Sequence, residues 1–305
     1  MNTKSKNIVK YNRWGYIFLI PFVVVFVIFQ LIPLITTIYN SFFEHYFAMG
    51  GLKEVGPKYI GLDNYKNLFK DDPNIMTYFK NTMIMWVLGF VPQIVVSILL
   101  AYWFADPSLR LKGKAFFQSV IYMPNLIMAS AFAMLFFSLF SLSGPINDIA
   151  KGLGFIDKSY DFFASIGWSR GIVAFINFMM WFGNTTILLL AGMLGIDTSL
   201  YEAAQVDGAT SSQVFFRVTL PLLKPILIYV MITSLIGGLQ MFDVPQILTN
   251  GSGNPARSTM TLIMYLNRNL FSKNYGVGGA ISVLMFIITG ILSMIIFKFN
   301  TKKDK

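Results

Sequence analysis

The sequence predicts an all-α membrane protein of six transmembrane helices with both termini on the cytoplasmic side. Three observations carry that expectation. Of 305 residues, 55% are hydrophobic and only 12% are charged, too few charges to cover a water-facing surface, since a soluble domain carries about 25%. The charges leave six stretches of at least 18 residues free: 14–43, 81–105, 115–147, 171–196, 225–242 and 274–297. A helix of about 20 apolar residues crosses the roughly 30 Å of a bilayer core. Basic residues, finally, sort to alternate loops. With the N-terminal tail inside, 13 Lys and Arg and five Asp and Glu lie on the inner side, against 11 and nine on the outer, as the preference of Lys and Arg for the cytoplasmic face requires. The net charge of +10 is then topology and attraction to anionic lipid heads, not a nucleic-acid surface.

Taken in order, residues 1–13 read as a basic cytoplasmic tail and 14–305 as a single transmembrane domain. The first charge-free run is far longer than the apolar core of a cleaved signal peptide, about 7–15 residues, so it is expected to remain as a span. Runs such as Phe22 to Phe29 lack the alternation of a barrel strand. The spans are placed at about 14–40, 81–105, 115–140, 171–196, 222–246 and 274–298. The inner charges are Lys4, Lys6, Lys10 and Arg13, then Arg110, Lys112, Lys114, Arg217 and Lys224, then Lys298, Lys302, Lys303 and Lys305. Pro92, Gln93, Tyr122, Pro124 and Asn125 read as kink and packing features, and His45 as an interfacial anchor.

The chain has no cysteine and one histidine. That excludes a disulfide scaffold and a thiolate nucleophile and leaves little for a zinc site, so no catalytic residue, metal or cofactor is expected. A cysteine-free chain also fits a bacterial inner membrane.

The longest inner loop, 197–221, has the grammar of two short helices. Ser199 with Glu202 makes a capping-box start, Gly208 can supply a left-handed end, and Thr210 with Gln213 makes a second box. Pro221 then redirects the chain. A helix-turn-helix on the cytoplasmic face suits a partner that must move the spans; a connector lying on the membrane is the simpler alternative.

Within it, Glu202-Ala203-Ala204, Gly208 and Val218-Thr219-Leu220-Pro221 resemble the EAA loop of binding-protein-dependent ABC importer permeases, with Val where Ile is usual. The resemblance implies the type I ABC importer permease fold. It also implies a coupling helix docked on a cytoplasmic ATPase subunit, with Glu202 making a polar contact, Gly208 shaping the turn, and Ala203 and Ala204 forming a small face. Two further stretches resemble the carbohydrate-uptake branch, similar to the larger membrane subunit of the maltose transporter without its extra N-terminal spans and periplasmic insertion. They are the first span with Tyr59-Ile60-Gly61-Leu62-Asp63-Asn64-Tyr65, and Leu248 to Pro255 with the following TMTLIMYLNRNLF. Ser252 and Gly253 depart from the usual T-x-G-G-P pattern. The partners so implied are a second related permease, two ATPase subunits and an extracytoplasmic sugar-binding lipoprotein that delivers to these outer loops, all at a bacterial cytoplasmic membrane.

Polar side chains inside lipid-length helices face a bundle interior. Asn177, Trp181 and Asn184 share one helical face, an indole between two amides, which suits a sugar's CH face and hydroxyls. Thr233, Gly237 and Gln240 repeat the spacing, with Asp243 one turn on. The resemblance adds Phe182, Gly183, Ser234, Gly238 and Met241 as sugar contacts. Helix-packing glue is the alternative for each. The expected function is therefore the membrane subunit of an ATP-driven oligosaccharide importer; the rivals are another small neutral solute or an ion-coupled carrier. The six charge-free stretches hold no carboxylate for a coupling ion, with only Asp243 nearby, and no Lys or Arg for an anion. The chain's Gly113-Lys114 pair, followed by Ala115, is no phosphate-binding loop, so ATP hydrolysis belongs to partners.

Overall fold

The computed structural model describes residues 12–70, 74–106, 109 and 111–301. Lys4, Lys6, Lys10, Arg110, Lys302, Lys303 and Lys305 lie outside the described residues, as does the side chain of Arg13. The chain opens with α1 (Asn12–Phe26), which passes through a π-turn at Val27–Leu31 into α2 (Ile32–Asn40). A hairpin of β1 (Phe43–Ala48) and β2 (Lys53–Tyr59) follows, then α3 (Asp63–Lys70), α4 (Asn74–Ala105), α5 (Lys114–Leu126), α6 (Ala129–Phe140), α7 (Pro145–Gly152) and α8 (Ile166–Leu194). Next come α9 (Thr198–Val206), α10 (Ser211–Val214), a π-turn at Phe215–Thr219, and α11 (Leu220–Leu222). The chain closes with α12 (Lys224–Leu239), α13 (Asp243–Leu248), α14 (Leu262–Phe271) and α15 (Tyr275–Thr301).

Six helical stretches among the described residues are long and apolar enough to cross a membrane. Their shapes differ in places from the sequence expectation. The third run is broken: α5 ends at Leu126, and Ile127 and Met128 take extended ψ of 134° and 137° before α6 begins. Pro124, which has no N–H to donate, sits in the last turn of α5, so the ladder is already weakened where the chain bends. The fifth run ends at Leu239, just past Gly237-Gly238, and resumes at Asp243 as α13. The β1–β2 hairpin is a small antiparallel departure from an all-helical chain.

The chain divides into two compact units. The first holds the residues up to Leu68 with Asn269–Leu284. Its lock is Asn64, buried at 6% exposure, whose Nδ2 donates to the carbonyls of Ser41 and Phe43, both at 2.9 Å. Tyr65 adds a hydroxyl bond to Ser41 Oγ at 2.8 Å. The Asn64-Tyr65 pair of the Tyr59–Tyr65 segment thus ties the exit of α2 to the hairpin. His45 pairs with Glu54 at 3.0 Å and packs against Tyr275, ring centroids 5.3 Å apart.

The second unit holds Phe69–Arg268 with Met285–Lys305 and is built on α4 against α8. The Asn81–Arg170 and Ser97–Phe182 hydrogen bonds advance together along both helices, so α4 and α8 run parallel. Two apolar clusters flank their crossing. One joins Met85, Ile172, Val173, Ile176 and Met180 to Phe132 and Phe136 of α6 and Met241 and Val244 near α13. The other joins Ala101 and Phe104 to Leu189, Leu190, Met193 and Leu223.

Candidate functional site

Between the two clusters α4, α8 and α12 form the wall of an open cavity of about 430 Å³, within the size range of small-ligand sites. α4 contributes Trp86, Phe90 and Gln93; α8 contributes Asn177, Trp181, Asn184 and Thr185; α12 contributes Tyr229, Thr233, Ser234, Gly237 and Gly238, and Met241 follows it. The lining contains no Asp, Glu, Lys or Arg. Its polarity comes from amides and hydroxyls, which donate and accept, and from indoles, which only donate, none with a preference for charge.

The polar groups divide into committed and free ones. Gln93 is buried and donates to Thr185 Oγ1 at 2.8 Å, while Asn177 Nδ2 donates to Val173 O at 2.8 Å and reaches Met241 Sδ at 3.5 Å. Neither Asn184 nor the Trp181 indole makes a hydrogen bond with the described residues, and Trp181 is 47% exposed. Together with the Tyr229 hydroxyl, which also has no hydrogen bond with the described residues, these are unpaired groups that a solute would meet.

Of the residues the sequence singles out for the pathway, Asn177, Trp181, Asn184, Ser234, Gly237, Gly238 and Met241 come together around this cavity. Phe182, Gly183, Gln240 and Asp243 are not on its wall. Phe182 stacks on Phe178, centroids 5.2 Å apart, and its carbonyl accepts from Ser97. Gly183 lies where α5 crosses α8, and a Cβ there would stand 2.0 Å from Ile121 O. Gln240 is the exposed C-terminal cap of α12, and Asp243 begins α13, also exposed. Trp86, Phe90 and Gln93 were missed or read as packing. Their i, i+4, i+7 spacing on α4 was the available signal.

The second candidate site is the 197–223 segment. Asp197, not Ser199, caps α9: its carboxylate accepts from Ser199 N at 2.9 Å, and Ser199 is already helical. The same bond holds the Asp197 carboxyl below the usual carboxylate range. The Ser-x-x-Glu signature points to Ser199, two residues further along, but the Asp197 carboxylate takes the first-turn amide instead. Glu202 is thereby released: it is exposed and makes no hydrogen bond or ion pair with the described residues. Gly208 takes φ +71°, with its N–H on Gln205 O at 3.0 Å and Ala209 N–H on Ala204 O at 2.9 Å, the two bonds of a Schellman end. Thr210 and Gln213 form the reciprocal box. Ala203 is exposed and Ala204 half-buried, and Val206 beside them is 88% exposed. Tyr201 on Thr219 closes the segment on itself, and Tyr102 of α4, edge-on to Phe215 at 4.9 Å, and buried Leu223 fasten it to the spans.

Residues 82–303 match the family described as binding-protein-dependent transport system inner membrane component. The chain belongs to that family. It is 31% identical over 97% of its length to the lactose transport system permease protein LacF of Rhizobium radiobacter, covering 98% of it. It is 30% identical over 93% of its length to the arabinooligosaccharides transport system permease protein AraP of Bacillus subtilis, covering 88% of that relative. Among solved structures it resembles a chain of a bacterial ABC transporter involved in the import of the acidic polysaccharide alginate, with TM-score 0.77 at 24% identity over 97% of this chain and 98% of that one. The permease thus has the type I ABC importer fold, and it is a transport subunit embedded in a membrane by multiple spans.

Proposed function

We propose that this permease is one transmembrane subunit of an ATP-driven importer of uncharged oligosaccharides in a bacterial cytoplasmic membrane. The observation that carries this reading is the charge-free cavity of α4, α8 and α12, in which Asn184 and Trp181 offer unpaired hydrogen-bonding groups beside aromatic surface. Relatives named for lactose and arabinooligosaccharide transport support the sugar class.

In this reading an extracytoplasmic binding protein hands the sugar to the outer loops, with Gly61–Tyr65 and Leu248–Pro255 each offering a contact. A second, related permease completes the pathway, because one wall of three helices cannot enclose a solute. Both termini are cytoplasmic, and the α9 segment seats on one of two ATPase subunits with Glu202, Ala203, Ala204 and Gly208 at the contact. ATP binding moves that segment, and Tyr201, Tyr102 and Leu223 pass the movement to α4, α8 and α12. The cavity alternately faces the two sides, and its wall resolvates the sugar's hydroxyls during transfer.

The test is uptake by the complex of this permease with its companion permease, ATPases and binding protein in proteoliposomes. ATP-dependent accumulation of a neutral oligosaccharide is the expected result. Accumulation of amino acids or anions with no sugar transport overturns the reading.

A further inference from the structure

The α4 wall of the cavity carries an indole held from three directions. Trp86 Nε1 donates to Ser234 Oγ at 3.1 Å. Its ring stacks on Phe90 with centroids 5.3 Å apart and planes 12° from parallel. Gly238 leaves the space it occupies, since a Cβ at that position would stand 2.2 Å from Trp86 Cδ1 and 2.5 Å from Cγ. Trp86 still lines the cavity and is only partly buried.

That arrangement differs from the other indole. Trp181 has no hydrogen-bond partner among the described residues, and the position of Gly237, one residue before Gly238, has nothing within 4 Å of an added Cβ. One tryptophan is free to respond to a ligand, whereas the other is fixed before a ligand arrives. A fixed ring loses little rotamer freedom on binding. With its N–H already satisfied, it offers a solute its apolar face, the surface on which the CH side of a sugar ring lies.

Resting on the sugar-import reading, we propose that Trp86 is a stacking platform that determines which oligosaccharides the pathway accepts. Ser234 and Gly238 are then positioning residues that act through Trp86, not sugar contacts in their own right. Ser234 spends its hydroxyl on the indole, and Gly238 contributes the absence of a side chain beneath it.

The experiment uses the full transporter complex in proteoliposomes and two neutral oligosaccharides of different length that the wild-type complex carries. The readouts are the ratio of their uptake rates and the ATP hydrolysis stimulated by sugar-loaded binding protein. Trp86→Ala is expected to change the ratio about three- to tenfold, the scale of one aromatic contact, with stimulated hydrolysis retained; Trp86→Phe should restore most of the preference. Gly238→Ala should reproduce the Trp86→Ala ratio, and the double variant should be no more altered than either single one. Ser234→Ala should move the ratio the same way by less. If Trp86→Ala does not assemble, Trp86→Leu removes the aromatic face while keeping bulk. An unchanged ratio in the assembled alanine or leucine variant overturns the platform role. Additive changes in the Trp86→Ala, Gly238→Ala double variant overturn the positioning role. A wild-type complex that carries no sugar overturns the import reading and this inference with it.

Discussion

Arg170 Nη2 donates to Asn81 Oδ1 at 2.6 Å, joining α8 to α4 through Asn81, whose two side-chain polar atoms are both engaged. Asn81, 1% exposed, donates in turn to the carbonyls of Arg257 at 2.8 Å and Met260 at 3.2 Å. Arg170 Nε reaches Ser258 O at 2.9 Å, and Arg257 Nη1 reaches Tyr78 OH at 3.2 Å. The segment so gripped includes Ala256 and Arg257 at φ +50° and +55°, an arrangement that L side chains adopt only when their surroundings impose it.

Replacing Asn81 by Ala would strand the guanidinium and two carbonyls at once. The expected cost is about 2–3 kcal/mol, because hydrogen bonds to a charged group are lost and buried partners go unpaired. Arg170→Lys, which cannot fork between Asn81 and Ser258, should fall between the two. Thermal unfolding of the purified complex in detergent measures both; an Asn81→Ala midpoint equal to wild type would show the knot to be dispensable.

Gly183 and Gly237 should separate packing from pathway. A Cβ at Gly183 collides with the Ile121 carbonyl, so Gly183→Ala must push α5 from α8, at about 1–3 kcal/mol of stability. Gly237 faces open space on the cavity wall, so Gly237→Ala should melt as wild type while a bulkier Gly237→Leu narrows the cavity and slows uptake of longer sugars. Melting and uptake on the same preparations decide it. Equal melting losses in both alanine variants would refute the assignment.

These contrasts mark what could be read from residues alone. Charge-free length is a property of single segments, and six apolar helical stretches appear accordingly, the third at Ala129–Gly152 where 115–140 was expected. The amide–indole–amide face of α8 was legible for the same reason, since Asn177, Trp181 and Asn184 are set by helical spacing. Gly183 and Gly238 were not separable, because a glycine's meaning depends on the helix opposite it: Ile121 in one case and Trp86 in the other. Nor was Trp86 itself, on a helix apolar all round, where only the neighbours decide which face is inside. The hairpin at 43–59 was missed because it lies between spans, outside the hydropathy pattern.

The Asp197 cap should make α9 sensitive to acid. Its pKa is lowered by the bond from Ser199 N–H, so the ionised carboxylate favours the folded helix end. That contribution is fully present above the ordinary Asp range and is lost as pH falls through the lowered value. Protection of the amides in residues 198–206, relative to their intrinsic exchange rate at each pH, should fall on acidification through that range, and Asp197→Ala should show the lower protection already at neutral pH. Asp197→Asn, which keeps an acceptor oxygen, should be insensitive to acid. Identical exchange in all three would remove Asp197 as the cap.

Because Asp197 and Gly208 hold the two ends of α9, Glu202 has no structural duty among the described residues, and its proposed role at the ATPase contact can be tested without unfolding the segment. Glu202→Lys is expected to leave membrane insertion and melting unchanged while abolishing ATP-driven uptake and sugar-stimulated hydrolysis. Gly208 makes the companion case. Its φ of +71° with nothing within 4 Å means that a side chain there meets strain but no neighbour. Gly208→Asn, tolerant of left-handed backbone, should retain much of the uptake, and Gly208→Val, which costs about 1–2 kcal/mol there or refolds the turn, should lose it. Normal uptake in both Glu202→Lys and Gly208→Val would place the coupling contact elsewhere.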